Sequence, residues 1–167
     1  MTDEKDFFTA ATEVIGLEQL DVPAMELLFK LECSGEDFYN AIADRIDNME
    51  AAELMRRNGR EELGHAQRLQ RAITIKVGGE YTPSAELLER YPIPLPDTIS
   101  ADLLPIIVQA EIDGDAGYQR WADAEPDPEV AKLLRSNGRE ETVHGERVTQ
   151  AIEILKQASN DGEDPER

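Results

Sequence analysis

The sequence predicts an all-α protein: a four-helix bundle built from two duplicated helical hairpins, with a long crossover between helices 2 and 3. Three observations predict it. Along four long segments, apolar and small residues recur in alternating steps of four and three, the spacing of helices that bury one stripe. The run Asn58-Gly59-Arg60-Glu61-Glu62-Leu63-Gly64-His65 returns as Asn137-Gly138-Arg139-Glu140-Glu141-Thr142-Val143-His144, 79 residues on (65 to 144). Between the copies, residues 79–99 break the pattern with Pro83, Pro92, Pro94 and Pro96.

At 167 residues the chain is long enough for one domain with a proper core. Its formal charge of −19, from 36 acids against 17 bases, argues against nucleic acid and against an anionic membrane as partners. One cysteine, Cys33, rules out an intrachain disulfide framework and a four-cysteine metal site. The start MTDEKDFF lacks the features of a signal peptide, and no apolar run reaches membrane-spanning length. The expected setting is cytoplasmic.

Residues 1–20 read as an N-terminal extension, with a short amphipathic helix over 3–16 carrying Phe7 and Phe8. The bundle is expected over 21–158. Asp21-Val22-Pro23 opens its first helix, an N-cap followed by proline in the first turn. That helix should run to about Asp47 with the stripe Leu28, Glu32, Gly35, Tyr39, Ile42, Ile46. The second, from about Glu50 to Val77, carries Met55, Asn58, Glu62, His65, Leu69 and Ala72, and stops at Gly78-Gly79. The short turn near Asn48 makes these two helices antiparallel neighbours.

The 79–99 connector, with a short helix expected over 84–90, can reach about 70 Å when extended, enough to traverse a bundle. The third helix is expected over 101–124 with Ser100 as cap and Pro105 near its first turn. Its stripe of Ile107, Glu111, Gly114, Tyr118 and Trp121 repeats that of the first helix. After Pro126-Asp127-Pro128 comes the fourth helix, about 128–158, repeating the second with Leu134, Asn137, Glu141, His144, Val148 and Ala151. Residues 159–167 read as a flexible acidic tail. Neither hairpin can cover its own stripe, so the two pack face to face, related by a pseudo-two-fold axis.

Chemistry enters because six polar residues occupy stripe positions: Glu32, Glu62, His65, Glu111, Glu141 and His144. A Glu and a His three residues apart share one helix face. Both histidines of the chain lie in such pairs. An unpaired buried carboxylate costs several kcal/mol, so these groups need metal or one another. Four carboxylates and two imidazoles suit two divalent metals in charge and in number. Oxygen and nitrogen ligands without thiolate favour iron or manganese, with zinc able to compete. Iron's redox change gives a reason to build two adjacent sites.

Asn58 and Asn137 stand one turn before Glu62 and Glu141, where they could hydrogen-bond a ligand carboxylate or simply be satisfied polar groups in the core. Tyr39 and Tyr118 are candidate catalytic residues. They could donate to a bridging carboxylate or pass an electron, or be core tyrosines with satisfied hydroxyls. Gly35 and Gly114 cost helix stability, so room beside the metals or close helix packing is expected of them.

This layout resembles the ferritin-like di-iron carboxylate superfamily, in which two helices give one glutamate each and two give a Glu-x-x-His. Rubrerythrins and bacterioferritins are similar in motif order, and Tyr39 matches their tyrosine seven residues after the first glutamate. The chain also looks like two encapsulated-ferritin hairpins fused into one. The resemblance implies that Glu61 and Glu140 each hold the histidine on the facing helix, although the residues alone read equally well as surface glutamates. It also implies two iron ions that react with dioxygen or hydrogen peroxide, as a ferroxidase or a rubrerythrin-like oxidoreductase. Two features depart from the rubrerythrin pattern: Gly114 stands where those proteins carry a further glutamate, and no rubredoxin-type cysteine module is present.

The expected partners are therefore ferrous iron, the oxidant and an electron donor outside the chain, with a homo-oligomer compatible with the sequence. Two other readings stay open. One is a non-enzymatic iron-binding or storage subunit. The other is a di-iron oxygenase acting on an organic substrate, which needs an apolar pocket beside the metals.

Overall fold

The computed structural model describes residues 5–162 and is helical, with no strand among the described residues. A short helix α1 (Phe7–Ile15) precedes α2 (Val22–Ala43) and α3 (Met49–Val77). A single turn, α4 (Ala85–Leu88), lies in the crossover before α5 (Pro105–Ala124) and α6 (Pro128–Gly162). None of these helices is long and apolar enough to cross a membrane.

The helix starts are set by local chemistry. Asp6, Asp21 and Asn48 each accept a backbone N–H from the first turn of α1, α2 and α3. Asp127 does the same for α6, accepting from Glu129 and Val130. Gly78 ends α3 in the left-handed region, at φ 67°, where a side chain would be strained.

Five boundaries differ from the sequence reading. The N-terminal helix starts at Phe7 rather than at 3, because Asp6 caps it there, and ends at Ile15. The first bundle helix ends at Ala43 rather than near Asp47, because Arg45 and Ile46 donate to Ile42 and Ala43 in a tight turn that delivers Asn48 as the next cap. In the crossover, the expected 84–90 helix shortens to Ala85–Leu88. The expected third helix begins at Pro105, not at 101, and Ser100 is not its cap. A proline inside a helix begun at 101 would remove one backbone donor and clash with the preceding turn. Residues 101–104 therefore form a turn, and Pro105 takes the first helical positions. The last helix continues past 158 to Gly162, and what remains of the expected tail, 163–167, lies outside the described residues, as do residues 1–4.

α2 packs on α3, α5 on α6, and α3 on α6. Side-chain partners between α3 and α6 descend along one helix as they ascend along the other: Asn58 meets Arg147, Glu61 meets His144, His65 meets Glu140, and Arg68 meets Asn137. The two helices are therefore antiparallel, and the crossover must run the length of the bundle. On the way it buttresses α2: Tyr91 N–H donates to Ser34 Oγ at 3.0 Å and Tyr81 donates to Glu26 at 2.9 Å. By contrast, α2 and α5 nowhere bring Cα atoms within 8 Å of one another, and α1 lies across the gap, touching both.

The core falls into two apolar clusters. One gathers Leu28, Leu69, Trp121 and Leu134. The other gathers Ile42, Met55, Ile107 and Val148, the same four positions exchanged between the hairpins by the duplication. Each fully buried side chain of this size stabilises the fold by about 1.5–3 kcal/mol. Between the clusters lies a polar layer.

Candidate metal centre

The polar layer holds the six residues. Glu32 comes from α2, Glu62 and His65 from α3, Glu111 from α5, and Glu141 and His144 from α6, all of them buried. The two imidazoles stack, with centroids 5.2 Å apart and planes 17° from parallel. His65 Nδ1 lies 3.4 Å from both Glu62 and Glu141 and 3.5 Å from Glu32. His144 Nδ1 lies 3.2 Å from Glu62, 3.3 Å from Glu141 and 3.9 Å from Glu111.

Glu62 and Glu141 thus face both histidines, whereas Glu32 and Glu111 face one each. Two overlapping four-residue sets result, Glu32, Glu62, His65, Glu141 and Glu62, Glu111, Glu141, His144, each with its ligand atoms within 4.8 Å of one another.

The donor chemistry fits a metal. Both Nδ1 atoms are fully buried and have no hydrogen-bond partner. Buried polar atoms are seldom left so, because the lost solvation costs about 1–3 kcal/mol. Each points its lone pair or proton into a cage of carboxylate oxygens, the arrangement of a ligand set.

Gly35 and Gly114 make room for that cage. A Cβ at Gly35 would lie 3.1 Å from the Glu62 carboxyl group, and one at Gly114 would lie 3.5 Å from Glu141 Cγ. The space they leave is filled by the glutamate of the adjacent helix.

Beyond the cage, each imidazole is held from behind. His65 Nε2 lies 3.1 Å from Glu140, and His144 Nε2 lies 3.3 Å from Glu61. Behind these carboxylates stand two arginines that the sequence reading missed. Arg147 grips Glu61 with both ends of its guanidinium, at 2.6 and 3.1 Å, and Arg68 donates to Glu140. They lie three residues after each histidine and repeat at the same offset of 79 (68 to 147), which was the available signal.

Of the two readings open for the asparagines, the structure shows the second: they are satisfied polar groups in the core and do not touch the ligand carboxylates. Asn58 donates to the His144 carbonyl at 3.2 Å and accepts from Arg147, while Asn137 donates to the His65 carbonyl at 3.3 Å and accepts from Arg68. At these positions the side chains look across to the facing helix's backbone rather than down their own helix. The tyrosines are core residues with satisfied hydroxyls, and each donates to a carboxylate. Tyr39 donates to Glu111 and Tyr118 to Glu32, each reaching across the α2–α5 gap to a glutamate that faces one histidine, not to the pair that faces both.

Without metal the cluster balances its charge with protons. Burial pushes the Glu32 carboxyl up to about 8 and raises Glu111 well above the usual carboxylate range, helped there by the charges of Glu141 and Glu62. Burial opposes charge on Glu62 and Glu141 too, but the facing imidazoles hold both below the usual carboxylate range. Burial likewise opposes charge on the imidazoles, yet the surrounding carboxylates raise His144 to about 10 and His65 well above its ordinary value. Two imidazolium ions and two carboxylates then face each other beside two protonated acids. Glu140 is lowered to about 2, first by His65 and then by Arg68, against the effect of burial.

No curated protein and no solved structure matches the chain. The rubrerythrin family model matches residues 24–152, from the start of α2 to the last core turn of α6, and takes in all six residues of the cluster. The chain belongs to the rubrerythrin family, within the ferritin-like di-iron superfamily.

Proposed function

We propose that the chain binds two ferrous ions in the buried cage and oxidises them with dioxygen or hydrogen peroxide. The observation that carries this reading is the pair of overlapping four-residue sets that share Glu62 and Glu141, each completed by one imidazole with an unpartnered Nδ1. In it, Glu32 and His65 serve one position, Glu111 and His144 the other, and Glu62 and Glu141 serve both. Four carboxylates match the charge of two dications.

Bound iron would supply one electron per ion, so that two ferrous ions and two protons convert one hydrogen peroxide to two waters. The protein's own residues do the rest. Glu61 and Glu140, anchored by Arg147 and Arg68, fix which imidazole nitrogen carries the proton and leave Nδ1 free to bind. Tyr39 and Tyr118 hold Glu111 and Glu32 in place and keep a proton at the oxygen they touch. The two apolar clusters exclude bulk water from both ends of the layer. Manganese and zinc fit the same donors, and zinc, which has no redox chemistry, would not support the oxidation. Return to the ferrous state calls for an electron donor from outside the chain.

The test is stopped-flow mixing of anaerobically iron-loaded protein with dioxygen and, separately, with hydrogen peroxide. The reading requires ferrous iron to disappear much faster than in buffer with at least one of the two oxidants. Oxidation no faster than that of free ferrous ion with both would end it.

A further inference from the structure

The open side of the polar layer leads into a cavity. Because α2 and α5 stand apart, a space of about 330 Å³ lies between them under α1, within the size range of small-molecule sites. Its floor is formed by Glu32, Glu62, Glu111 and Glu141, while both histidines lie on the far side, between α3 and α6. Its walls are apolar: Leu28, Leu31 and Phe38 on one side, Ile107, Ala110 and Trp121 on the other, with Phe7, Ala11 and Val14 of α1 above.

We infer that this cavity is a binding site for a small, neutral, predominantly apolar organic molecule, lying against the carboxylate side of the cage. Three observations select that class. The volume has room for a molecule on the order of ten non-hydrogen atoms, at ~30 Å³ each, far more than dioxygen or peroxide requires. No lysine, arginine or histidine lines it, so an anionic ligand would be desolvated with no cation in the lining to pair with. Hydrogen-bonding groups on the walls and roof are few, Thr12 and Asp113 among them, so most of a polar molecule would be left unsatisfied.

The roof is held in place by contacts at the two ends of α1, while the side past Ile106 and Ala110 stays open to solvent. Phe7 stacks on Phe38 at 4.8 Å, and the Trp121 indole N–H donates to the Leu17 carbonyl at 2.7 Å just after α1. Ile15 sits over Gly117, where a Cβ would come within 2.7 Å of it.

This inference does not depend on the metal reading, since the pocket is present in the metal-free chain. Trp121 is the only tryptophan and lines the cavity, so its fluorescence reports occupancy directly. The experiment titrates metal-free full-length protein at pH 7 with n-octanol and, in parallel, with octanoate. Expected is a saturable change in tryptophan emission with n-octanol, with octanoate binding at least about tenfold more weakly. Ala110→Phe and Ala11→Phe fill the space from opposite sides, and each should weaken n-octanol binding about tenfold or more while circular dichroism stays that of the parent.

No saturable response, equal binding of octanoate, or unchanged affinity in whichever filled variants fold would overturn the site. Cobalt(II) titration of the same samples separates the two ideas. Octanol binding without metal uptake sinks only the proposed function, and metal uptake without octanol binding sinks only this one.

Discussion

The two hairpins are alike inside and unlike outside. Around the cage the main features come in pairs: the clamp of Arg68 on Glu140 matches Arg147 on Glu61, Tyr39 matches Tyr118, and Asn58 matches Asn137. Even the exposed pair Arg56–Asp44, at 2.9 Å, has its counterpart in Arg135–Asp123, at 2.6 Å. On the outer faces the match fails. The crossover covers the outside of α2, so Cys33 and Ser34 are buried, whereas their counterparts on α5, Ile112 and Asp113, are exposed, Ile112 to 54 %. At the gap, Phe38 in one half corresponds to Gly117 in the other, and α1 uses the difference, stacking Phe7 on the first and seating Ile15 over the second. What is repeated is what the cage requires; what differs is set by which segment covers each helix.

The comparison breaks most severely if the shared carboxylates are not equivalent. Glu62→Ala and Glu141→Ala should each weaken cobalt(II) binding at both positions by more than about 100-fold, measured by calorimetry. A large effect from one and none from the other would show that the inner symmetry is only geometric. Next come the clamps: Arg68→Ala and Arg147→Ala should each cost about 10–100-fold in affinity, equally in the two halves, by freeing the glutamate behind one histidine.

Protons sharpen the same comparison. Metal must displace the protons held by His65, His144, Glu32 and Glu111, whose values are all raised, to about 8 for Glu32 and about 10 for His144. Affinity should therefore rise with pH through about 8, by up to about tenfold per unit for each proton released. Groups with raised values bind protons more tightly in the folded state. The metal-free protein should accordingly lose stability as pH rises from about 5 towards 10, and metal loading should abolish that loss. A melting temperature of the metal-free protein that climbs over this range would contradict the charge balance drawn here.

Smaller effects should expose the asymmetry. Gly35→Ala crowds the Glu62 carboxyl and should cost about 1–3 kcal/mol, whereas at Gly114 the contact is ordinary and the gain in helix propensity, up to about 1 kcal/mol, should dominate. Smallest is the outer pair. Cys33→Ser should destabilise by about 1–2 kcal/mol in the covered position, and Ile112→Ser should stay within about 0.5 kcal/mol, both read by chemical denaturation.

Much of this was legible in the sequence because stripe periodicity reports burial. A glutamate in the place of a leucine, as at Glu32 and Glu111, already implies a buried carboxylate. The duplication then pairs the halves. Arg68 and Arg147 escaped because they lie off the stripe and look like solvated surface until the facing helix supplies Glu140 and Glu61. The partners of Asn58 and Asn137 are backbone carbonyls on another helix, and no side-chain pattern encodes those. The start of α5 depended on how Pro105 competes with Ser100 for the first turn. The gap between α2 and α5 comes from packing rather than local preference, and its one trace in the sequence is the Phe38 and Gly117 mismatch across the repeat.

The central claim is that one buried cage offers two equivalent metal positions. Anaerobic titration of ferrous ion into metal-free protein, with uptake counted per chain, tests it most directly when wild type is run beside Glu32→Ala and Glu111→Ala. The account predicts two ions tightly held by the wild type and one by each variant. A wild type that holds one ion or none, or two variants that differ from each other, would contradict it.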